Sequence, residues 1–149
     1  MDEQKYDCLK LENQLCFPLY AVSKEIIKHY KPHLDALDLT YTQYITMMVL
    51  WEKKSMNVKD LGQNLFLDSG TLTPVLKKLE AKGYIKRERM QKDERNVLIT
   101  ITPEGMALRD KALSVPAKMA GCVNLSAEDG KNLYILLKKI MASLAAKEE

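Results

Sequence analysis

No stretch of this sequence is apolar over the roughly 18 to 20 residues that a membrane span requires. The acidic, polar N-terminus, MDEQKYD, does not have the form of a signal peptide. We therefore expect a cytoplasmic protein. Cysteine is scarce: only Cys8, Cys16 and Cys122 occur, and no two of them have the spacing of a CxxC metal or redox motif. In a reducing compartment they cannot form a disulfide scaffold, so any disulfide should be transient.

Histidine is scarcer still. Neither His29 nor His33 has an acidic or cysteine partner at the spacing of a metal site, so we expect no metal and no cofactor. The 149 residues suffice for one folding unit but hardly for two independent cores, and the chain has no internal repeat or long linker. With 46% apolar and 29% charged residues, its composition is that of a soluble globular protein.

Positive charge is concentrated in one place. The formal net charge is +3, and the fourteen residues from position 82 to 95 carry all of that excess. Their basic residues are Lys82, Lys86, Arg87, Arg89, Lys92 and Arg95, and their acids are Glu88, Asp93 and Glu94. Local charge of this kind indicates an anionic partner, with nucleic acid as the leading candidate. The alternative is a charged hairpin that is only solvated.

Helical periodicity begins near the N-terminus. Apolar residues at positions 15, 19, 22 and 26 predict a helix that runs to about Tyr30 and is stopped by Pro32. Thr40 and Gln43 have the spacing of a capping box, which predicts a second helix ending near Trp51. We expect its inward face to be formed by Tyr44, Ile45, Met48 and Val49.

Two short helices follow. Asn57 predicts the start of the first, and Asp68 or Ser69 the start of the second, which Gly83 ends. The expected apolar faces are formed by Val58, Leu61 and Leu65 in the first and by Leu72, Val75, Leu76 and Leu79 in the second. This pair predicts a helix-turn-helix unit.

The remainder predicts a wing and further helices. YIKRER and VLITIT read as a β-hairpin with a long charged tip, MQKDERN. Thr102 and Pro103 start a helix that Pro116 should kink or end, and Ser126 starts the last one, with a stripe of Leu133, Leu136, Ile140 and Leu144. The predicted fold is mainly α with a small β-hairpin wing: a single domain over 1–149, with a winged helix-turn-helix at about 41–102 and dimerisation helices at about 9–31 and 103–147.

A winged helix binds double-stranded DNA with its second helix in the major groove and its hairpin along the backbone or in the minor groove. The predicted outward residues of that helix are Ser69, Gly70, Thr71, Thr73, Pro74, Lys77 and Lys78. On the hairpin we expect contacts from Arg87, Arg89, Lys92 and Arg95, with Asp93 holding Arg95. A twofold homodimer would read a pseudo-palindromic operator. The alternative is a winged helix that serves as a protein-interaction module.

The chain resembles the MarR family of winged-helix repressors in its helix order, in DSGTLTPVLKKLEAKGYIKR and in the motif DER at Asp93 to Arg95. Within that family, LENQLCFPLYA and the tyrosines beyond it resemble the organic-hydroperoxide-sensing OhrR group. The resemblance implies a repressor that releases its operator when an organic hydroperoxide oxidises Cys16. One alternative is a repressor released by a small aromatic ligand. A thiol peroxidase is less favoured, because no arginine is near Cys16 in the sequence.

Cys16 needs hydrogen-bond donors for this chemistry, because the thiolate is the nucleophile and a free cysteine has a pKa of about 8.5. Tyr30 lies on the same helix face but about 21 Å along the helix, so it cannot touch its own Cys16. The resemblance implies that Tyr30 and Tyr41 of a partner subunit donate to the sulfur. The alternative is an inert core thiol. Pro18 reads either as a helix start or as a kink.

Cys122 presents a second choice. Some sensors of this group resolve the sulfenic acid with a cysteine from the C-terminal region of the partner subunit, and others use a small external thiol. Cys122 lies in the region that would supply such a resolving cysteine, and both routes remain open. Cys8 is most simply a bystander.

Overall fold

The computed structural model describes the backbone of residues 3–146 and the side chains of residues 4–93 and 96–146. Two short 3-10 segments, Glu3–Leu9 and Leu11–Asn13, precede the first α-helix. The elements that follow are α1 (Cys16–Asp35), α2 (Tyr41–Lys53), β1 (Ser55–Asn57), α3 (Val58–Leu65), α4 (Ser69–Ala81), β2 (Ile85–Met90), β3 (Asp93–Ile101), α5 (Pro103–Ala112), α6 (Ser114–Met119) and α7 (Ala127–Ala145). The predicted mainly helical fold with a β-hairpin wing is confirmed.

The chain divides into two compact units, Met1–Met119 and Ala120–Glu149. The first contains α1 to α6 and the sheet, and the second contains α7. The boundary falls inside the segment 103–147 that we assigned to dimerisation, so the single-domain organisation stays a prediction. Among the described residues, no helix is both long and apolar enough to cross a membrane.

Helix α1 differs from the prediction at both ends. It begins at Cys16 rather than near residue 9, and it continues through Pro32 to Asp35 instead of stopping. Pro32 is exposed. Water can therefore satisfy the carbonyl that its missing N–H leaves unpaired. Beyond Pro32, Leu34 is buried, and Asp35 forms an ion pair with Lys31 at 2.9 Å. These contacts hold the last turn of α1 in place.

Helix α2 begins at the predicted capping box. The Gln43 backbone N–H donates to Thr40 Oγ1 at 3.3 Å, and the Thr40 N–H donates to Gln43 Oε1 at 3.0 Å. Of the predicted inward face, Tyr44 is buried and Ile45 and Val49 pack against the core. The prediction of Met48 was wrong: Met48 is 46% exposed, whereas Met47 is fully buried. The buried positions are Gln43, Tyr44, Thr46, Met47, Leu50 and Trp51. The two polar residues tolerate burial because the cap satisfies Gln43 and Thr46 Oγ1 donates to a backbone carbonyl at 2.7 Å.

Helices α3 and α4 form the predicted helix-turn-helix. Asn57 caps α3 by accepting the Asp60 N–H at 2.8 Å, and Asp68 caps α4 by accepting the Thr71 N–H at 2.8 Å. Between the helices, Phe66 has a φ of 53°, a left-handed conformation that lets the chain turn within three residues. The apolar faces meet in a core that includes Leu61, Leu72, Leu76 and Leu79.

The sheet has one strand more than predicted and a shorter turn. Its order is β1-β3-β2, and all pairs are antiparallel. The unpredicted β1 is only three residues long, too short to show an alternating pattern. The predicted seven-residue tip is shorter, because β2 continues to Met90 and β3 begins at Asp93. Polar residues at the exposed end of the hairpin therefore belong to the paired strands β2 and β3.

Helices α5 and α7 start where the sequence predicts. Thr102 Oγ1 accepts the Gly105 N–H at 3.1 Å to cap α5, and Ser126 Oγ accepts the Asp129 N–H at 3.0 Å to cap α7. Helix α5 ends at Ala112. Pro116 has no N–H to donate to the Ala112 carbonyl, four residues earlier, so the helical hydrogen bonds stop there. Pro116 itself lies in the first turn of α6, where a missing N–H costs little.

Candidate nucleic-acid interface and redox centre

Helix α4 presents the predicted polar face to solvent. Its apolar residues are buried, whereas Ser69, Gly70, Thr71, Pro74, Lys77 and Lys78 are exposed and Thr73 is half-buried. The small side chains cluster at the helix start, and the two lysines follow two turns later. This arrangement lets the first turn approach base edges closely while the lysines reach phosphates.

Asp68 organises the start of that face. Besides its cap to the Thr71 backbone, its Oδ2 accepts the Thr71 hydroxyl at 3.1 Å. These hydrogen bonds lower the pKa of Asp68 below its ordinary value. The sequence identified Asp68 only as a cap. The spacing Asp-x-x-Thr is the signal that it also orients a threonine hydroxyl on the exposed face.

The wing is tied to α4 by a pair that the sequence analysis missed. Arg87 Nε donates to Glu80 Oε2 at 2.8 Å, and its Nη2 lies 2.8 Å from the same oxygen. The Arg87 backbone N–H donates to the other oxygen, Oε1, at 3.1 Å. The pKa of Glu80 is lowered, chiefly by the Arg87 side chain. A phosphate contact by Arg87 stays a prediction, and in this structure its guanidinium engages Glu80.

The other wing residues lie farther along the hairpin. Arg89 and Lys92 are exposed, so their charges are available to an anionic partner. Asp93 is exposed and engaged in an interaction of its own. The side chain of Arg95 lies outside the described residues, so the expected Asp93–Arg95 contact stays a prediction.

Cys16 is the first residue of α1 and is exposed in the chain. It is therefore not a core thiol of its own chain. Pro18 is the third helical residue, in the first turn, so it belongs to the helix start and does not kink a helix already formed. Cys16 therefore lies at the N-terminus of a helix, a position that favours a negative charge. Leu15, Phe17 and Leu19 give the sulfur apolar, partly exposed neighbours.

Tyr30 and Tyr41 lie together at the other end of α1. Their ring centroids are 5.0 Å apart, and Tyr44 joins them with its centroid 5.9 Å from that of Tyr30. Burial, and secondarily the neighbouring Tyr30, raises the pKa of both Tyr41 and Tyr44. Their hydroxyls therefore stay protonated and able to donate at neutral pH. The sequence placed Tyr44 inward but gave no sign that it completes this cluster.

The chain does not bring Cys16 to its own tyrosines. Cys16 and Tyr30 are the first and fifteenth residues of α1, about 21 Å apart at 1.5 Å per residue. Cys8 is exposed in the first 3-10 segment, where its carbonyl accepts Gln14 Nε2 at 2.6 Å. Cys122 is half-buried in the second unit. Within the described part of the chain, no three His, Cys, Asp or Glu side chains cluster as metal ligands would.

Comparisons with known proteins extend this description. Residues 28–112 match the family described as "Transcriptional regulator SarA/Rot". The chain is 48% identical over 145 residues to the organic hydroperoxide resistance transcriptional regulator of Bacillus subtilis (strain 168), covering 97% of this chain and 99% of that protein. It is similar to reduced AbfR bound to DNA, with a TM-score of 0.78 and 32% identity over 97% of this chain and 99% of that chain. For disulfide-formed AbfR the TM-score is 0.63, with 34% identity over 95% and 99%.

Proposed function

Because the chain belongs to the SarA/Rot family of transcriptional regulators, and among MarR-type winged-helix proteins to the organic hydroperoxide sensors, we propose that Cys16 is the sulfur it uses to sense peroxide. The protein is a redox-sensing, DNA-binding transcriptional repressor and not an enzyme. The observation that carries this conclusion is the 48% identity to an organic hydroperoxide resistance regulator over almost the whole chain. A repressor must reach chromosomal DNA, so we infer that it is cytoplasmic.

In the reduced state the protein binds its operator as a homodimer. Helix α4 enters the major groove with Ser69, Gly70 and Thr71 leading, while Lys77 and Lys78 contact phosphates. The exposed Arg89 and Lys92 of the wing add backbone or minor-groove contacts. The twofold axis of the dimer then matches a pseudo-palindromic site.

The redox centre is shared between subunits. Tyr30 and Tyr41 of the partner subunit donate hydrogen bonds to the Cys16 sulfur, which a pairing of antiparallel α1 helices allows. Two features of the chain support this: the tyrosines are already adjacent, at 5.0 Å between ring centroids, and Cys16 is exposed at the opposite end of the same helix. Hydrogen bonds from phenols favour the thiolate over the thiol. The apolar residues around Cys16 favour an organic hydroperoxide over hydrogen peroxide.

The sensing reaction is a two-electron oxidation of sulfur. The Cys16 thiolate attacks the terminal oxygen of ROOH, the O–O bond breaks, and the alkoxide takes a proton and leaves as ROH. Cys16 then carries a sulfenic acid. A thiol condenses with it to form a disulfide and water. That thiol is Cys122 or a small external thiol, and the related AbfR has a disulfide-formed structure, which supports a disulfide product by either route.

Oxidation releases DNA by breaking the hydrogen bonds between Cys16 and the tyrosines and by shifting α1. The shift changes the spacing of the two α4 helices, which must match successive turns of DNA. Moving the protein from almost fully bound to almost fully free requires a preference of about 10⁴-fold, or about 5.5 kcal/mol. A new covalent bond can provide this.

The first prediction tests the sensor directly. Cumene hydroperoxide should abolish binding of the reduced wild type to operator DNA in a gel shift, and dithiothreitol should restore binding. Cys16→Ser should bind DNA and ignore the peroxide, whereas Cys8→Ser, the matched exposed-cysteine control, should respond like the wild type. An intact response in Cys16→Ser would refute the proposal.

Two further measurements separate the open routes. Mass spectrometry of peroxide-treated protein on a non-reducing gel should show either a Cys16–Cys122 dimer or a mixed disulfide, and thus identify the resolving thiol. Release of DNA by a phenolic compound under reducing conditions would instead support the ligand-controlled repressor.

A further inference from the structure

Arg87, near the base of the wing, has a different environment from Arg89. Arg87 is two residues into β2 and shares the strand face of the buried Ile85, so its side chain is half-buried. Arg89 lies two residues farther along the same face, past the edge of the core, and is exposed. Arg87 and Arg89 therefore differ in burial, although both lie on the same face of β2.

Glu80 engages Arg87 with both of its oxygens. Oε2 contacts two guanidinium nitrogens, each at 2.8 Å, and Oε1 accepts the backbone N–H of Arg87 at 3.1 Å. Glu80 is in the last turn of α4, and Arg87 is in the strand that follows. The contacts therefore join the recognition helix to the wing across the turn at Gly83.

We propose that Arg87 is a positioning residue, and that the Glu80–Arg87 pair sets the orientation of the wing relative to α4. This rests on the proposed DNA-binding function. Arg87 then contributes to DNA affinity without neutralising a phosphate, because its charge is already paired. Direct DNA contacts by the wing are then made by residues farther along the hairpin, Arg89 and Lys92.

The pair matters because α4 and the wing bind the same duplex. When two binding elements are held at the right separation, the second contact is intramolecular and has a high effective concentration. A wing free to swing would lose part of that advantage. Loss of the Glu80–Arg87 pair should therefore weaken DNA binding without changing the number of counterions that DNA releases when the protein binds.

Salt dependence distinguishes positioning from phosphate contact. The logarithm of the binding constant falls with the logarithm of salt concentration, with a slope of about 0.9 for each phosphate neutralised. The probe is a fluorescent, mixed-sequence duplex of about three helical turns, measured by anisotropy with reduced protein at several salt concentrations. Arg89→Ala is the matched control and should lower the slope by about two, because the homodimer carries one Arg89 on each of its two wings.

Arg87→Ala should weaken binding by about threefold to tenfold with the wild-type slope. Glu80→Ala should do the same, and the double variant should bind no worse than either single variant. Hydrogen exchange without DNA supplies a second readout: amides of β2 and β3 should exchange faster in Glu80→Ala and Arg87→Ala but not in Arg89→Ala.

Three results would overturn the inference. They are a slope lowered by about two in Arg87→Ala, tighter binding by Glu80→Ala because it frees a phosphate contact, or unchanged wing exchange in both variants. If the wild type itself shows no salt-dependent DNA binding, the proposed function fails too. A lowered slope in Arg87→Ala alone rejects only the positioning role.

Discussion

Gly105 joins three parts of the winged helix through its backbone. Its N–H donates to Thr102 Oγ1, the side chain that caps α5, and its carbonyl accepts the Trp51 indole N–H at 2.8 Å. A methyl group at this position would overlap the carbonyl of Tyr84 and come within 2.9 Å of Ile101 Cγ1. The backbone segments at Gly105 and Tyr84 lie so close that only a hydrogen atom fits at the Gly105 Cα. A backbone carbonyl cannot move away as the end of a flexible side chain can.

Gly105→Ala should therefore lower the free energy of unfolding by about 3 kcal/mol, the upper end of the usual cost of overpacking. Gly130→Ala is the control, because a Cβ there meets nothing within 4 Å and the residue is helical in α7. It should leave stability unchanged or raise it by about 0.5 to 1 kcal/mol. Urea denaturation measures both, and equal stability of Gly105→Ala and wild type would contradict the packing argument.

Single residues also show which parts of the candidate site local sequence patterns could and could not predict. Cys16, Tyr30 and Tyr41 have no local pattern linking them, and only the family resemblance joined them into one site. Glu80 was missed for a different reason. Its partner Arg87 lies beyond a turn, and the pairing becomes visible only when the strand face of Arg87 is known to continue that of Ile85.

At the level of elements, α4 depends on an ionised cap. Hydrogen bonds from the Thr71 backbone and hydroxyl hold the pKa of Asp68 below its value in an unfolded chain. The stability gained from this cap is fully present above the unfolded pKa of about 3.9 and is lost as the pH falls through the folded pKa. Acidification should therefore loosen the first turn of α4.

Asp68→Asn separates the charge from the cap, because an amide oxygen can still accept the Thr71 N–H. We expect the wild type to have the higher Tm at about pH 7 and the difference to shrink below about pH 4, where the carboxylate takes up a proton. Thermal unfolding followed by circular dichroism across this range is the measurement. A difference in Tm that stays constant down to about pH 3 would rule out the charge as its source.

Elements with strong local signals were predicted correctly, and those decided by tertiary context were not. The caps at Thr40, Asn57 and Ser126 each satisfy N–H groups within three residues, so the sequence alone locates them. Strand β1 exists because β3 pairs with it, which three residues cannot signal. Helix α1 passes Pro32 because residues beyond it are anchored, a fact the local pattern does not contain.

At the level of the whole molecule, the apolar residues left in solvent require an explanation. In α1, Val22 is 53% exposed and Ile27 is 41% exposed, and of that helix only Leu34 is buried. Helix α7 has no buried residue. Its exposed stripe consists of Leu133, Leu136, Ile140 and Leu144. Apolar surface of this extent marks an interaction site, and a homodimer is the partner that a twofold operator requires.

Leu136→Glu tests whether α7 supplies that interface. Leu136 is 55% exposed in the chain, so the change should leave the fold intact, but a charge buried between subunits lacks a partner and strongly disfavours association. Light scattering after size exclusion should give twice the mass of one chain for the wild type and a shift toward one chain for the variant. DNA binding should weaken in parallel and recover at high protein concentration. Ala142→Glu, with the same new charge at an exposed position on the opposite face of α7, should remain dimeric. A dimeric Leu136→Glu with normal DNA affinity would place the interface elsewhere.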